Sequence, residues 1–156
     1  MTRRDTKRTL ALLILVLAAF AVRPEFADAA GYWTCSEGRW AAVGHVAHSR
    51  PLKACGVELK IPKSEAGCKQ AGGSWGPAGI FPQPICRLPT HDAGRTCGDG
   101  EECEGLCLAK PSKAERARIL KRIKVAMTGT CTPVIPVFGC MAMVKMGYVS
   151  GIMCLD

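Results

Sequence analysis

The sequence is poor in aromatic residues and lacks the closely spaced cysteine pairs of zinc-binding proteins. Phe, Trp and Tyr make up 6% of the 156 residues, which is too few for a platform on which nucleic-acid bases stack. Structural zinc sites prefer C-x2-C spacing, and the chain contains no such pair. We therefore expect no nucleic-acid partner, no metal and no cofactor.

Long apolar runs are absent as well. The longest, Leu10–Val22, has 13 residues, whereas a membrane-spanning helix needs roughly 20. Basic residues precede this run, and Ala27-Asp28-Ala29 supplies the small residues that a signal peptidase reads. We predict that residues 1–29 are a cleaved signal peptide and that residues 30–156 form a single exported domain, periplasmic or secreted. The alternative is an uncleaved membrane anchor.

Cysteine is abundant in the predicted mature domain. An even number of cysteines at this density in an exported chain predicts a small scaffold held by five disulfides. A bridge that closes 15–20 residues stabilises by roughly 3 kcal/mol in the chain-entropy model. The spacing alone leaves the connectivity open. The ten candidates are Cys35, Cys55, Cys68, Cys86, Cys97, Cys103, Cys107, Cys131, Cys140 and Cys154.

Local patterns predict a hairpin followed by a short helix and an extended arm. Two β-prone runs flank Ser36–Gly38 and indicate a hairpin. Residues 64–71 read as a short helix that ends at Gly72-Gly73, and the prolines beyond keep the chain extended. A bridge from Cys68 to Cys86 would pin this arm to the helix, and it is the pairing we favour.

One stretch matches a catalytic motif and is rejected. Gly72–Gly76 fits G-x-S-x-G, but that motif places its serine on a strand-to-helix turn. In this sequence a helix comes first and an extended arm follows, so the glycines are better explained as a helix stop. We predict no catalytic residues and no enzymatic activity.

The segment Cys97-x5-Cys103-x3-Cys107 is too compact for an apolar core and predicts a knot of turns, with Cys131 the nearest candidate for a further partner. Four acidic residues lie in this knot. Their spacing does not match a calcium loop, so we expect a solvated acidic loop or one that faces the basic helix. These residues are Asp99, Glu101, Glu102 and Glu104.

A basic helix is predicted after the knot. Ser112 and Glu115 form a capping box, and the helix should run from Lys113 to about Met127, ending before Gly129. An apolar stripe follows one face, at Ile119, Leu120, Ile123 and Met127. Either the stripe packs on the domain while the charges are solvated, or the helix binds polyanions or an anionic membrane surface. The candidate anion-binding residues are Lys113, Arg118, Lys121, Arg122 and Lys124.

The C-terminus predicts a second hairpin. The β-prone runs 137–145 and 148–155 flank Met146-Gly147, which places Cys140 opposite Cys154 and favours a bridge between them. Thioethers can bind copper(I), but alternation along a hairpin would make half of the methionines ordinary core residues. The methionines on these strands are Met141, Met143, Met146 and Met153.

The order of these residues resembles an uncharacterised group of small exported bacterial cysteine-rich proteins. The resemblance covers most of the chain from Cys68 onward and implies a fold and a compartment, but no chemistry and no site residues. The basic helix departs from the group's pattern and resembles an insertion between Cys107 and Cys131. The matching segments are Cys68-x2-Ala71-Gly72-Gly73-x-Trp75-Gly76, Cys86, Leu88-Pro89-Thr90, Asp92-Ala93-Gly94, Cys97-x5-Cys103-Glu104-Gly105-x-Cys107, Phe138-Gly139-Cys140 and Cys154-Leu155-Asp156.

Together these patterns predict a small disulfide-rich α+β domain with β-hairpins, one short helix, one basic amphipathic helix and much irregular chain. Rigid loops on such a scaffold suit recognition, because little conformational entropy is lost on binding. The predicted function is a non-enzymatic binding or inhibitory module that recognises a protein in the cell envelope or outside the cell. The alternative is a polyanion or membrane-surface binder that acts through residues 113–127.

Overall fold

A computed structural model describes residues 29–155 of the chain. The predicted signal peptide, residues 1–29, lies outside the described residues except for Ala29. Within the described range the chain forms twelve short strands, two α-helices and one 3-10 turn. Their bounds are β1 Tyr32–Ser36, β2 Arg39–Val43, α1 Glu65–Gln70, β3 Ser74–Ala78, β4 Phe81–Pro89, β5 Thr96–Cys97, the 3-10 turn Gly100–Glu102, β6 Cys107–Ala109, α2 Lys113–Leu120, β7 Val125–Ala126, β8 Gly129–Cys131, β9 Val134–Ile135, β10 Gly139–Met143, β11 Tyr148–Val149 and β12 Met153–Leu155.

The protein is small, mostly β and disulfide-rich, so the α+β prediction holds only in part. Both helices are short, at 6 and 8 residues. The largest sheet has five strands in the order β12-β10-β6-β8-β5, with antiparallel neighbours throughout. Strands dominate because the short β-prone runs pair in local hairpins, as β1–β2 and β3–β4 do, and with distant strands, as β7 does with β11.

All ten cysteines are paired, in five disulfides. The predicted pairs Cys68–Cys86 and Cys140–Cys154 are both present. In the knot, Cys97 pairs with Cys107 and Cys103 with Cys131, the partner that sequence proximity indicated. The fifth pair joins Cys35 to Cys55.

Disulfides occupy much of the interior. The main core surrounds the two bridges of the knot and includes Ile119, Val144 and Val149. A second core contains Cys68, Cys86, Leu88 and Ile135. Because the chain has few aromatic side chains, buried sulfur atoms supply volume that large rings provide elsewhere, and the bridges stabilise a domain whose core is modest.

Three hairpins form where the sequence predicted two. The first, β1–β2, turns at Glu37 and Gly38, both at positive φ, as tight hairpin turns require. The proline-rich arm is itself a hairpin, β3–β4, with Pro77 opposite Pro84. Proline is tolerated in it because β3 has no second neighbour and β4 meets β9 only at Leu88 and Pro89.

The basic helix is shorter than predicted. Helix α2 begins at the expected capping box but ends at Leu120 instead of continuing to Met127. Arg122 adopts a positive φ of 61°, and the chain then forms β7, which pairs with β11 through Val125↔Val149 and Ala126↔Tyr148. Pairing of these β-prone residues with a distant strand outweighs about two more turns of helix.

The C-terminal hairpin keeps its predicted register but is interrupted. Cys140 faces Cys154 in the β10–β12 pair, as predicted. The turn lies at Met146-Gly147, closed by the bridge between Lys145 and Tyr148. Between the turn and the Cys140–Cys154 pair, β11 pairs with β7 and not with β10. The predicted second strand is therefore divided into β11 and β12.

The start of the described chain is packed into the fold. A Cβ at Gly147 would overlap the backbone of Ala30, and a Cβ at Gly98 would lie 2.5 Å from the carbonyl oxygen of Gly31. Gly31 is itself buried against the backbone of His45 and Val46. Glycine at these positions therefore makes room for residues 30 and 31 beside the C-terminal turn.

Candidate functional site

Two of the four acidic residues of the knot are structural, and the prediction of a solvated acidic loop is wrong for these two, Asp99 and Glu102. Glu102 is fully buried, and Asp99 is only 8% exposed. The Oδ2 atom of Asp99 accepts a hydrogen bond from the backbone N–H of Met146 at 2.7 Å. Its Oδ1 atom accepts from the N–H of Glu101 at 2.8 Å. Carboxylates are retained in the interior because backbone donors need acceptors there.

Glu102 connects three separate segments. Its Oε1 atom accepts from the N–H of Trp33 at 2.9 Å and from that of Gly98 at 3.0 Å. Its Oε2 atom lies 2.6 Å from Nε2 of His48, whose side chain is also buried. This carboxylate therefore ties the β1–β2 hairpin and the loop after it to the knot.

The predicted anion-binding residues form an exposed basic surface, defined by Lys113, Arg118, Lys121, Arg122 and Lys124. Lys113 and Arg118 lie on α2, and the other three follow it in the segment leading to β7. All five are exposed, and none has a carboxylate within 4.0 Å among the described residues. Their charges are therefore free to meet an external anion.

The apolar stripe predicted beneath these charges does not exist as a continuous face. Ile119 is buried in the main core, whereas Leu120 is 68% exposed and Ile123 is 44% exposed. The amphipathic part of the prediction is wrong because α2 ends before two further turns could align the stripe. Glu115 belongs to the helix cap: the backbone N–H of Ser112 donates to its carboxylate at 2.7 Å, and the Ser112 hydroxyl oxygen accepts from the backbone N–H of Glu115. Hydrogen bonding with Ser112 lowers the pKa of Glu115.

A second surface was missed by the sequence interpretation. A cavity of about 630 Å³ lies beside the knot, and we call it the acid-rimmed groove. Apolar side chains line it, among them Val57, Ile61 and Leu155, all exposed to solvent. Three acidic residues also line it: Glu58, Glu101 and Glu104. No sequence pattern reveals this groove, because its lining comes from four segments that only folding brings together.

Lys53 lies at the inner side of the acid-rimmed groove. Its Nζ atom donates a hydrogen bond to the carbonyl oxygen of Cys103 at 2.6 Å. Burial disfavours the ammonium and lowers the pKa of Lys53, while the nearby carboxylates, Asp92 first, partly oppose this effect. The residue thus anchors the loop after β2 to the knot and places one cation among acids.

The two tryptophans of the first hairpin also bind that loop. The indole N–H of Trp40 donates to the carbonyl oxygen of Lys53 at 3.0 Å. The indole N–H of Trp33 donates to the carbonyl oxygen of His48 at 3.3 Å. Both polar edges are therefore engaged within the fold, which agrees with a structural role for these rings.

A further cavity of about 570 Å³, the methionine pocket, adjoins the acid-rimmed groove. Both cavities are lined by Gly100 and Glu101 of the 3-10 turn. Three of the four methionines considered in the sequence, Met143, Met146 and Met153, line the methionine pocket. The fourth, Met141, is buried and lines a different cavity.

Two groups of sulfur and oxygen atoms resemble metal sites at first sight: Cys97, Cys103 and Cys107 in one, and Asp92, Cys103 and Cys131 in the other. Their sulfur atoms are close together because they form disulfides. A metal-binding cysteine acts as a thiolate, so these groups are explained by the bridges.

Comparison with protein-family models, with curated proteins and with solved structures finds no match. No helix in the described part of the chain is long and apolar enough to cross a membrane. Five disulfides are typical of exported proteins, because such bridges persist in oxidising compartments.

Proposed function

We propose that this protein is an exported, non-enzymatic binding module that recognises a protein partner through the acid-rimmed groove. The observation that carries the proposal is the exposure of large apolar side chains around an indented, rigid surface. Val57 is 59% exposed there, and clustered exposed apolar side chains with a polar rim mark interaction sites. A lone exposed hydrophobic residue would carry no such weight.

The lining of the groove suggests the chemistry of the partner. Glu58, Glu101 and Glu104 favour a basic side chain, and the exposed apolar side chains of the lining favour an aliphatic or aromatic neighbour. A segment with Lys or Arg beside a large apolar residue fits both features. Bridges and hydrogen bonds hold the surrounding loops, so little entropy would be lost on association.

Site-specific photo-crosslinking tests the proposal. We would place p-benzoylphenylalanine at position 57 and, as a control, at position 80, since Ile80 is 76% exposed and lies away from the groove lining. We expect a discrete adduct from position 57 that disappears when Leu155→Asp is added. Equal adducts from both positions, or none from position 57, would refute recognition through the groove.

The second candidate function, polyanion or anionic-surface binding, rests on the basic surface and its unpaired cations. Such binding weakens as salt rises, because it depends on counterion release and screening. We expect the triple variant Lys121→Gln, Arg122→Gln, Lys124→Gln to elute from immobilised heparin at lower salt than the wild type.

The matched control for this second function removes three exposed charges elsewhere, by Arg39→Gln, Lys60→Gln and Lys63→Gln. It lowers the net charge by the same amount but leaves the basic surface intact. If both triple variants elute together, net charge alone governs retention and the basic surface is not a binding site.

A further inference from the structure

We infer that the methionine pocket is a binding site for a soft monovalent cation, with copper(I) as the cation class and the thioether sulfurs of Met143, Met146 and Met153 as its ligands. These three side chains line one cavity of about 570 Å³. Thioethers select soft cations such as copper(I) over magnesium, calcium or manganese, which prefer oxygen. This inference concerns a different cavity from the acid-rimmed groove and does not depend on the proposed protein partner.

The strand register brings two of the methionines within reach of each other. Met153 faces Met141 in the β10–β12 pair, and Met143 lies two residues further along β10. Met143 and Met153 are therefore diagonal neighbours, a separation of about 7–8 Å that long side chains can span. Methionine has three rotatable bonds in its side chain and can adjust to place sulfur at a common point.

Met146 is the third methionine of the pocket, and its backbone conformation is unusual for a residue with a side chain. It adopts a positive φ of 50° in the turn after β10, where Gly or Asn is normally preferred. Its side chain is nevertheless 54% exposed, so it contributes little to the core. A long thioether in a strained and exposed turn position is explained if the side chain itself is needed.

The turn is held firmly enough to present a ligand. The N–H of Met146 donates to Asp99 at 2.7 Å, and the N–H of Gly147 donates to the carbonyl oxygen of Gly98 at 2.8 Å. Met153 is 51% exposed on the edge strand β12. Two of the three methionines, Met146 and Met153, are thus exposed to solvent, and hydrogen bonds hold the backbone of the turn that carries Met146.

The charges around the pocket favour a cation. Asp99 and Glu101 both line it, and the position of Asp99 is fixed by its hydrogen bonds to the backbone. Lys145 also lines the pocket but is exposed, and its flexible stem allows the ammonium to remain in water. Carboxylates close to uncharged thioethers offset the charge of a bound ion without supplying hard ligands directly.

Anaerobic titration of the exported, disulfide-intact protein tests the inference. Copper(I) would be added against a chromophoric copper(I) chelator, with silver(I) as a redox-inert probe and zinc(II) as a harder competitor. We expect one copper(I) or silver(I) per chain and no displacement by zinc(II). With methyl-labelled methionine, the resonances of Met143, Met146 and Met153 should shift, while that of Met127 should not.

Leucine variants identify the ligands, because leucine keeps the apolar volume and removes the sulfur. Replacing all three residues, Met143→Leu, Met146→Leu and Met153→Leu, should weaken binding by at least about tenfold. The control Met127→Leu, at a side chain that packs against the main core, should leave the affinity unchanged. Absence of one-to-one binding, or equal affinity in the triple variant and the control, would overturn the assignment.

Discussion

Glu102 illustrates how a charged residue can act as internal scaffold. It is fully buried and accepts hydrogen bonds from two backbone N–H groups, while its second oxygen lies beside His48. Removal of such an acceptor leaves buried donors without partners, which costs more than the bonds themselves contribute. At the scale of single residues, this buried carboxylate therefore stabilises the fold and does not contribute to the surface charge of the knot.

Glu102→Ala should therefore lower the free energy of unfolding by about 3 kcal/mol, since a buried, hydrogen-bonded carboxylate is lost. Glu102→Gln should cost less, because its amide oxygen can still accept from Trp33 and Gly98. Chemical denaturation of disulfide-intact protein would measure both. Glu101→Ala, at the exposed neighbouring position, is the control and should change stability by less than about 0.5 kcal/mol. Equal losses at 101 and 102 would contradict this role.

The lowered pKa of Lys53 should make the free energy of unfolding depend on pH. Burial lowers its pKa in the folded protein, so above that pKa the unfolded chain binds more protons at this site than the folded chain does. The free energy of unfolding must then rise with pH until the unfolded lysine also loses its proton. Below the folded pKa both states are protonated, and the full cost of burying the charge remains.

Comparison of the wild type with Lys53→Met between pH 7 and pH 10 isolates this effect. We expect the wild type to gain stability relative to the variant as pH rises, because the variant has no amine to titrate. Lys60→Met, at an exposed position, is the control for the loss of one positive charge. A difference for Lys53→Met that falls with rising pH would show that the lysine is stabilised as a cation.

At the scale of elements, the five disulfides differ in exposure: three are buried, Cys35–Cys55 is half-buried and Cys140–Cys154 is exposed. The cysteines of Cys68–Cys86, Cys97–Cys107 and Cys103–Cys131 are at most 2% exposed. Cys140 and Cys154, by contrast, are exposed and join β10 to the edge strand β12. An attacking thiolate needs access to sulfur, so the buried bridges are protected as long as the fold persists.

Mild reduction should therefore open Cys140–Cys154 before the three buried bridges. Brief treatment with a dilute phosphine, alkylation and peptide mass mapping would give the order. We expect alkylation at 140 and 154 first, with the two bridges of the knot labelled only under denaturing conditions. Early labelling of Cys103 or Cys131 would mean that the knot opens locally in the native state.

At the scale of the whole molecule, the two ends of the described chain depend on each other. Residues 30 and 31 pack beside the C-terminal turn, and Gly147 is both at a positive φ of 76° and in contact with Ala30. Gly147→Ala should lower the melting temperature strongly. Alanine is strained at a positive φ, and its methyl group would also overlap the backbone of Ala30. Gly151→Ala, where a Cβ would meet nothing within 4 Å, should have little effect. Similar melting temperatures for the two variants would disprove this packing.

The intact mass of the protein, expressed from its full sequence, tests the predicted processing and the oxidation state together. With thiols blocked before unfolding and without reduction, we expect a mass that begins at Ala30, lowered by ten hydrogens for five disulfides and carrying no blocking group. Processing before Ala30 was predicted from residues 27–29. A mass that retains Met1 would support the anchored alternative, and blocked thiols would contradict the five-bridge fold.

The short-range features of this protein could be read directly from its sequence. The capping box at Ser112, the turns at Glu37-Gly38 and Met146-Gly147, and the β10–β12 register form as predicted. The short helix predicted over residues 64–71 forms at Glu65–Gln70. Each depends on residues that lie close together in the chain or on a turn that sets the alignment. The even number of cysteines likewise indicated five bridges before any pairing was known.

Long-range contacts determine where α2 ends, which acidic residues are buried and which cavities form. Helix α2 stops at Leu120 because residues 125–126 pair with a strand more than 20 residues away, and no local propensity contains that competition. Glu102 is buried, and the acid-rimmed groove exists, because separate segments converge at the knot. The turns, the helix cap and the number of bridges follow from the sequence, since the turns and the cap depend on neighbouring residues and the bridges on the number of cysteines. The folded chain determined burial and cavities, since these depend on contacts between residues that are far apart in sequence.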